Sequence, residues 1–246
     1  MKEFLVRGVT LPETYHRALL ELRDQSEISI TMEVRRPLEE PRISRLFPGG
    51  PYDLCRYELE ITEGIFNCGV NQGLWHYTYH QRFAPWIRGV LDELRKNPDS
   101  RRACISVRDN EADEGSTDPA CLQHIQFMIR DGKLDMYVLF RSNDAVRAAY
   151  MNAFALIRLQ ERISSALGVP VGRYIHRANN FHCYPESRET LDKYIDRITS
   201  HGETTYNYSG DWKILMKDCI PAIYKEASDQ MMKGEYDEEE YDEDES

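Results

Sequence analysis

The chain of 246 residues contains no apolar run approaching the roughly 18 residues that a membrane-spanning helix needs. Its first residues, MKEFLVRGVT, lack the apolar core of a secretory signal. Both absences predict a soluble, cytoplasmic protein. The six cysteines, at 55, 68, 104, 121, 183 and 219, form no Cys-x-x-Cys pair and no zinc-type spacing. With no export signal they are expected to be free thiols. His76 and His80 stand four residues apart without a His-Glu-x-x-His pattern, so no metal site is expected. There is no internal repeat, and an excess of positive charge is lacking too. The last twelve residues, EYDEEEYDEDES, hold nine acidic groups and no basic one, leaving 33 acidic against 31 basic residues in the body. That balance excludes general nucleic-acid binding but not a small anion held by a few arginines. The acidic stretch repels itself, and residues 231–246 are expected to be disordered.

What is present is a globular composition, 41% hydrophobic and 11% aromatic, which places one domain over residues 1–230. Tyr15, Leu19 and Leu22 recur at helical spacing within 11–25, and SEISITMEV (26–34) alternates as a strand does. Arg, Pro and Gly over 35–53 read as a loop. A second helix is expected over 53–64 and a third over 84–97, with Trp86, Ile87, Val90, Leu91 and Leu94 on its apolar stripe. CLQHIQFMIR and KLDMYVLF flank Asp131-Gly132, the preferred pair for a two-residue type I′ hairpin. A long helix, about 145–167, buries Ala153, Leu156, Ile157, Leu159 and Ile163, is apolar around much of its circumference, and stops at Gly168. Strand-like pieces follow at 172–177 and 181–184. The fold class is α+β.

The hairpin brings Cys121, at the start of one strand, beside Arg141, just past the end of the other. A free cysteine is most often a small core residue. A positive neighbour, however, stabilises thiolate, and thiolate is the nucleophile. Arginine is also the natural ligand of a phosphate. A second basic pair, Arg101 and Arg102, follows the third helix; alone, such a pair reads as a solvated surface.

Five segments occur together in one order: NPDSRRACISV (97–107), Pro119-x-Cys121 with Gln126 five residues on, DGKLDMYVLFRSND (131–144), Asn152 eleven residues after Arg141, and NNFHCY (179–184). In this order and spacing the chain resembles the thymidylate synthase family, well over residues 79–184 and more weakly before them. Its short N-terminal region looks most like the archaeal-type branch, whose scaffold pyrimidine nucleotide hydroxymethylases share. The resemblance implies a mixed sheet packed by helices, and one-carbon transfer to C5 of a uracil nucleotide. The expected reaction is dUMP to dTMP, with 5,10-methylenetetrahydrofolate or a related methylene-pterin as co-substrate and no metal. Cys121 would attack C6. Arg141 and Ser142, with Arg101 and Arg102 of a second subunit, would hold the 5′-phosphate, which makes a homodimer with shared sites. Asp144 would contact base and pterin, and His182 and Tyr184 the sugar 3′-hydroxyl.

Asn152 would read the base. Its amide can donate to a carbonyl and accept from N–H, matching uracil O4 and N3–H, although an amide can also flip. Glu58 is the candidate for the glutamate that moves protons through water, with Glu60 and Glu63 as competitors. Tyr79 is the candidate active-site tyrosine, with Tyr77 the alternative, and Arg42 matches an upstream phosphate arginine by position. The chain departs from the family pattern at several places: Ala120 precedes the cysteine in place of proline, Leu122 follows it in place of histidine, and Phe140 stands in place of glutamine. A tryptophan-bearing insertion is missing, so Trp75 has no counterpart, and an acidic stretch takes the place of a short apolar C-terminus. Two alternatives stay open: a 5-hydroxymethylase acting on dUMP, dCMP or CMP, and a nucleotide-binding protein without catalysis, for which a thiolate would have no use.

Overall fold

Alternating sequence becomes a mixed sheet with one apolar and one polar face. The computed structural model describes the backbone of residues 1–243 and the side chains of residues 1–232. The elements of its first half are β1 (Glu3–Gly8), α1 (Leu11–Glu21), β2 (Glu27–Val34), β3 (Ile43–Ser44), α2 (Pro51–Glu63), α3 (Cys68–Asn71), α4 (Tyr79–Lys96), β4 (Cys104–Ser106) and α5 (Asn110–Asp113). Then come β5 (Leu122–Arg130), β6 (Lys133–Phe140), β7 (Asn143–Asp144), α6 (Ala149–Leu167), β8 (Val171–His182), α7 (Arg188–Thr199), β9 (Thr205–Tyr206) and α8 (Lys213–Glu243). The sheet runs in the order β1-β2-β8-β6-β5-β4, with β7 beside the end of β8 and a separate β3–β9 pair.

Register sorts the side chains. Ile125, Val138, His176 and Met32 form one row across four strands and face the core. The row Leu5, Thr31, Arg177, Leu139, His124, Ser106 lies on the opposite face, out of that core. On the core side α1, α4 and α6 pack against the strands. α6 is the centre of that layer, with Ala153, Phe154, Ala155, Leu156, Ile157 and Leu159 all buried. Each large apolar side chain buried there contributes about 1.5–3 kcal/mol of transfer free energy, which is why this helix is apolar on more than one face.

The hairpin turns as expected: Asp131 and Gly132 both have positive φ, 50° and 70°, the pair of values that a type I′ turn requires. Other expectations shift. α1 ends at Glu21 instead of 25, and α6 begins at Ala149, because residues 145–148 form a turn. α4 begins at Tyr79, not 84, since Thr78 caps it with an oxygen that accepts from the Gln81 N–H, and Pro85 sits on its exposed side. Its buried stripe is Phe83, Val90 and Leu94, whereas Trp86 is 62% exposed. The two pieces after Gly168 are one strand, β8. β1, α7 and α8 have no counterpart among the expectations. α8 runs as far as Glu243; the expectation of a disordered stretch over 231–246 falls, beyond residue 232, on side chains outside the described ones, and at 244–246 outside the described backbone. Among the described residues no helix is long and apolar enough to cross a membrane.

Candidate active site

The parallel strands β6 and β8 end at the same edge of the sheet, and antiparallel β5 begins there. Cys121 and Arg141 therefore meet by strand geometry, and His182, at the end of β8, comes beside Ser142. The Arg141 guanidinium donates from Nε to the Ala120 carbonyl at 3.1 Å and from Nη2 to the Pro119 carbonyl at 2.6 Å. Its backbone N–H donates to the Cys121 carbonyl at 2.9 Å. Arg141 thus clasps the segment that leads into Cys121, a second task beside any anion it binds. Ser142 Oγ lies 3.4 Å from His182 Nδ1, and the His182 and Tyr184 rings meet edge to face at 4.7 Å. Asp144 accepts the N–H groups of Val146 and Arg147 through Oδ1 and so shapes the turn into α6.

The thiol of Cys121 is half-buried. Burial pushes its pKa up, Arg141 opposes this, and the charge of Asp118 adds to the rise. The expected pull of Arg141 toward thiolate is present, but desolvation outweighs one guanidinium whose donors are turned to carbonyls.

Two tyrosines flank the Cys121 segment from the other side: the Leu122 N–H donates to the Tyr79 hydroxyl at 3.3 Å, and the Tyr77 ring lies 5.7 Å from that of Tyr79. Burial pushes the Tyr77 phenol up to about 12 and that of Tyr79 well above its ordinary value. Both stay protonated at neutral pH. They line a cleft of about 450 Å³ with Tyr57, Glu60, Trp75 and Asp118. Phe140 explains one departure from the family pattern. It stacks on His176 at 4.6 Å and turns its edge to Tyr79 at 6.4 Å, so an aromatic filler braces the tyrosine.

The three glutamates separate. Glu58 is buried and accepts from Arg158 Nε at 2.8 Å, on the side of α2 that faces α6. Glu63 pairs with Arg162. Glu60 faces the cleft, where burial raises its pKa against the pull of Arg56. Of the candidates, Glu60 lines the cleft, whereas Glu58, the first choice, does not. Arg42 is buried with its guanidinium 4.6 Å from the Tyr208 ring, and its Nη2 has no hydrogen-bond partner among the described residues. Arg101 and Arg102 are exposed just before β4, the edge strand; Arg102 pairs with Glu93, and neither has a partner in the Cys121 cluster.

Asn152 is buried in the first turn of α6 and accepts from the Tyr57 hydroxyl at 2.5 Å. Tyr57 was absent from the sequence reading. The signal available was its helical spacing, three residues before Glu60, which puts both on one face of α2.

The thymidylate synthase family model matches residues 69–213. Two curated archaeal relatives bear the name "Putative thymidylate synthase". That of Methanocaldococcus jannaschii is 33% identical over 63% of this chain and 76% of its own length. That of Methanosarcina barkeri is 26% identical over 79% and 95%. The deoxyuridylate hydroxymethyltransferase of Pseudomonas phage M6 is 35% identical over 46% of this chain and 34% of its own. Among solved structures, thermostable thymidylate synthase A from Bacillus subtilis superposes with a TM-score of 0.60 at 17% identity, covering 76% of this chain and 84% of that one; it shares the fold.

Proposed function

The chain belongs to the thymidylate synthase family, and from that premise we propose that it converts dUMP to dTMP with 5,10-methylenetetrahydrofolate or a related methylene-pterin. It is a C5 transferase of that family; the identity of the group delivered is the proposal. The observation that carries the reading is the position of Cys121, in a segment clasped by Arg141 and joined at Leu122 to Tyr79, which with Asp118 and Glu60 lines the neighbouring aromatic cleft.

In this reading the Cys121 thiolate bonds to C6, and the C5=C6 electron pair moves to C5, which takes the one-carbon unit. The C5 proton then leaves to a base as the bond from the one-carbon unit to the carrier's nitrogen breaks, which leaves an exocyclic methylene at C5. Hydride added to that methylene returns the electron pair to C5=C6, and the Cys121–C6 bond breaks. Arg141, Ser142 and the paired His182 and Tyr184 bind phosphate and sugar. Glu60, whose pKa burial raises above the ordinary carboxylate value, moves protons through water. Flat aromatic walls at Tyr57, Tyr77, Tyr79 and Trp75 suit a pterin, which supplies the one-carbon unit and, for a methyl product, the hydride.

The test is mass spectrometry of the product from dUMP and methylenetetrahydrofolate in heavy-oxygen water. A methyl nucleotide without label, with equal dihydrofolate, is expected. A labelled hydroxymethyl nucleotide with tetrahydrofolate regenerated would make the chain a hydroxymethylase, the reading that the similarity to the phage M6 enzyme favours. Exclusion of water from the exocyclic methylene decides between the two.

The same reading makes the protein a homodimer. The outer sheet row presents Leu5, 51% exposed, and Leu139 beside His124, whose two ring nitrogens are buried without a partner among the described residues. A second copy stacked on this face would bring its Arg101 and Arg102 to the neighbouring site. Mixing inactive Cys121→Ser with inactive Arg102→Glu protein should then restore activity, up to about a quarter of wild type if subunits exchange at random, as one site in the hybrid is intact. No recovery after exchange, verified by native mass spectrometry, would remove trans donation.

A further inference from the structure

An amide that reads a pyrimidine can present either end. With Nδ2–H2 toward position 4 and Oδ1 toward N3 it matches uracil; flipped, it matches cytosine, whose 4-amino group donates and whose N3 accepts. We propose that Tyr57 is the positioning residue that fixes this choice: its hydroxyl donates to Asn152 Oδ1, which turns the amide nitrogen toward the ligand and makes the site select uracil nucleotides. The inference rests on the proposed role of Asn152 as the residue that meets the base.

Three observations carry it. The contact is short, 2.5 Å, and joins residues 95 apart in sequence, so it is a product of the packing of α2 against α6. Tyr57 is a reliable donor: burial, with the nearby Tyr79, Glu60 and Tyr77, holds its phenol well above the ordinary value, so it does not ionise near neutrality. And the Asn152 oxygen is the acceptor described for this hydroxyl, while Asn152 Nδ2 has no protein partner among the described residues and is not among the sealed, unsatisfied atoms. One lone pair of Oδ1 takes Tyr57 and the other is left for N3–H of uracil. If the amide flipped, the Tyr57 oxygen would accept from Nδ2 and its own O–H would lose its protein acceptor among the described residues, so the flipped amide gives up the hydrogen bond that the unflipped one makes.

The test is the ratio of dCMP to dUMP dissociation constants, measured by calorimetry on the full chain, so that turnover and co-substrate do not enter. Tyr57→Phe keeps the ring that fills the space and removes only the pin. The expected result is that the preference for dUMP narrows about tenfold, with dUMP binding weakened and dCMP binding strengthened, at an unfolding temperature close to wild type. Asn152→Asp, measured in parallel, should move the same ratio toward dCMP, because a carboxylate cannot donate to O4. A role for Tyr57 in packing alone would weaken both nucleotides equally and leave the ratio fixed. If Asn152→Asp moves the ratio and Tyr57→Phe does not, the pin is refuted while the base-reading role stands. If neither moves it, Asn152 does not meet the base and both statements fall.

Discussion

Cys121→Ser is expected to reduce turnover by on the order of 10⁴-fold or more while leaving dUMP affinity within a few-fold of wild type. The serine hydroxyl is nearly isosteric, and the contacts assigned to nucleotide binding come from Arg141, Ser142, Asn152, His182 and Tyr184. The backbone that carries residue 121 is held independently of its side chain, by the Arg141 clasp on Pro119 and Ala120 and by the Tyr79 hydroxyl, which accepts from the Leu122 N–H. What is lost is the ability to form a thioether at C6, since a serine alkoxide is inaccessible at neutral pH without a strong base beside it. Substantial remaining turnover would remove Cys121 from the chemistry. The unliganded thiol carries its own signature. With its pKa raised by burial and by Asp118, its alkylation by iodoacetamide should climb with pH to a midpoint above that of an ordinary cysteine. Asp118→Asn should bring that midpoint down, because it removes a negative charge that disfavours thiolate. A midpoint below the ordinary thiol value would mean that Arg141 dominates after all.

Legibility in the sequence followed the range of the interactions. The hairpin was legible because two adjacent residues, Asp131 and Gly132, carry the whole requirement for positive φ. α6 was legible because its stop signal and apolar residues are contiguous. Cys121 and Arg141 were legible as neighbours because the two ends of one hairpin bring them together whatever the side chains do. β1 was not: its pairing with β2 is parallel and crosses over through α1, so nothing local marks it. The start of α4 was misplaced because Pro85 looks like a helix start, whereas Thr78, seven residues earlier, supplies the cap and the proline is accommodated on the exposed side. Tyr57 was missed, and Glu60 stood only as a competitor of Glu58, for a related reason. Their partners come from α6 and the segment before α4, and only the packing of those elements on α2 shows which of its faces is the inner wall of a cleft.

That face decides which glutamate does what, and exchanging the two should give opposite phenotypes. Glu58 lies in register with Leu54 and Ile61, the core stripe of α2, and its carboxylate is the close partner of Arg158 in a largely buried pair. Glu58→Gln leaves the Arg158 guanidinium with Glu161 alone. Removing one member of a buried pair costs about 3–5 kcal/mol, and the remaining partner puts this case near the lower end. For a chain of this size about 3 kcal/mol corresponds to a fall in Tm of roughly 6–12 °C. Binding and catalysis at temperatures where the protein is folded should change little. Glu60 carries the reverse expectation. Its folded pKa is raised, so its contribution to stability is complete below the unfolded value and is lost as pH rises through the folded one. At neutral pH the charged form is thus a burden that Glu60→Gln relieves, partly offset by the lost attraction of Arg56 at 3.8 Å. The variant should unfold at or slightly above the wild-type temperature when neutral, with the difference gone at low pH. Its turnover should fall by about 10²–10⁴, the range for removal of a group that transfers protons in the rate-determining barrier. Thermal unfolding and steady-state rates of the two variants, measured side by side, settle the assignment. Loss of turnover at an unchanged Tm in Glu58→Gln, with Glu60→Gln active, would return the role to Glu58 and make the cleft face of α2 a bystander.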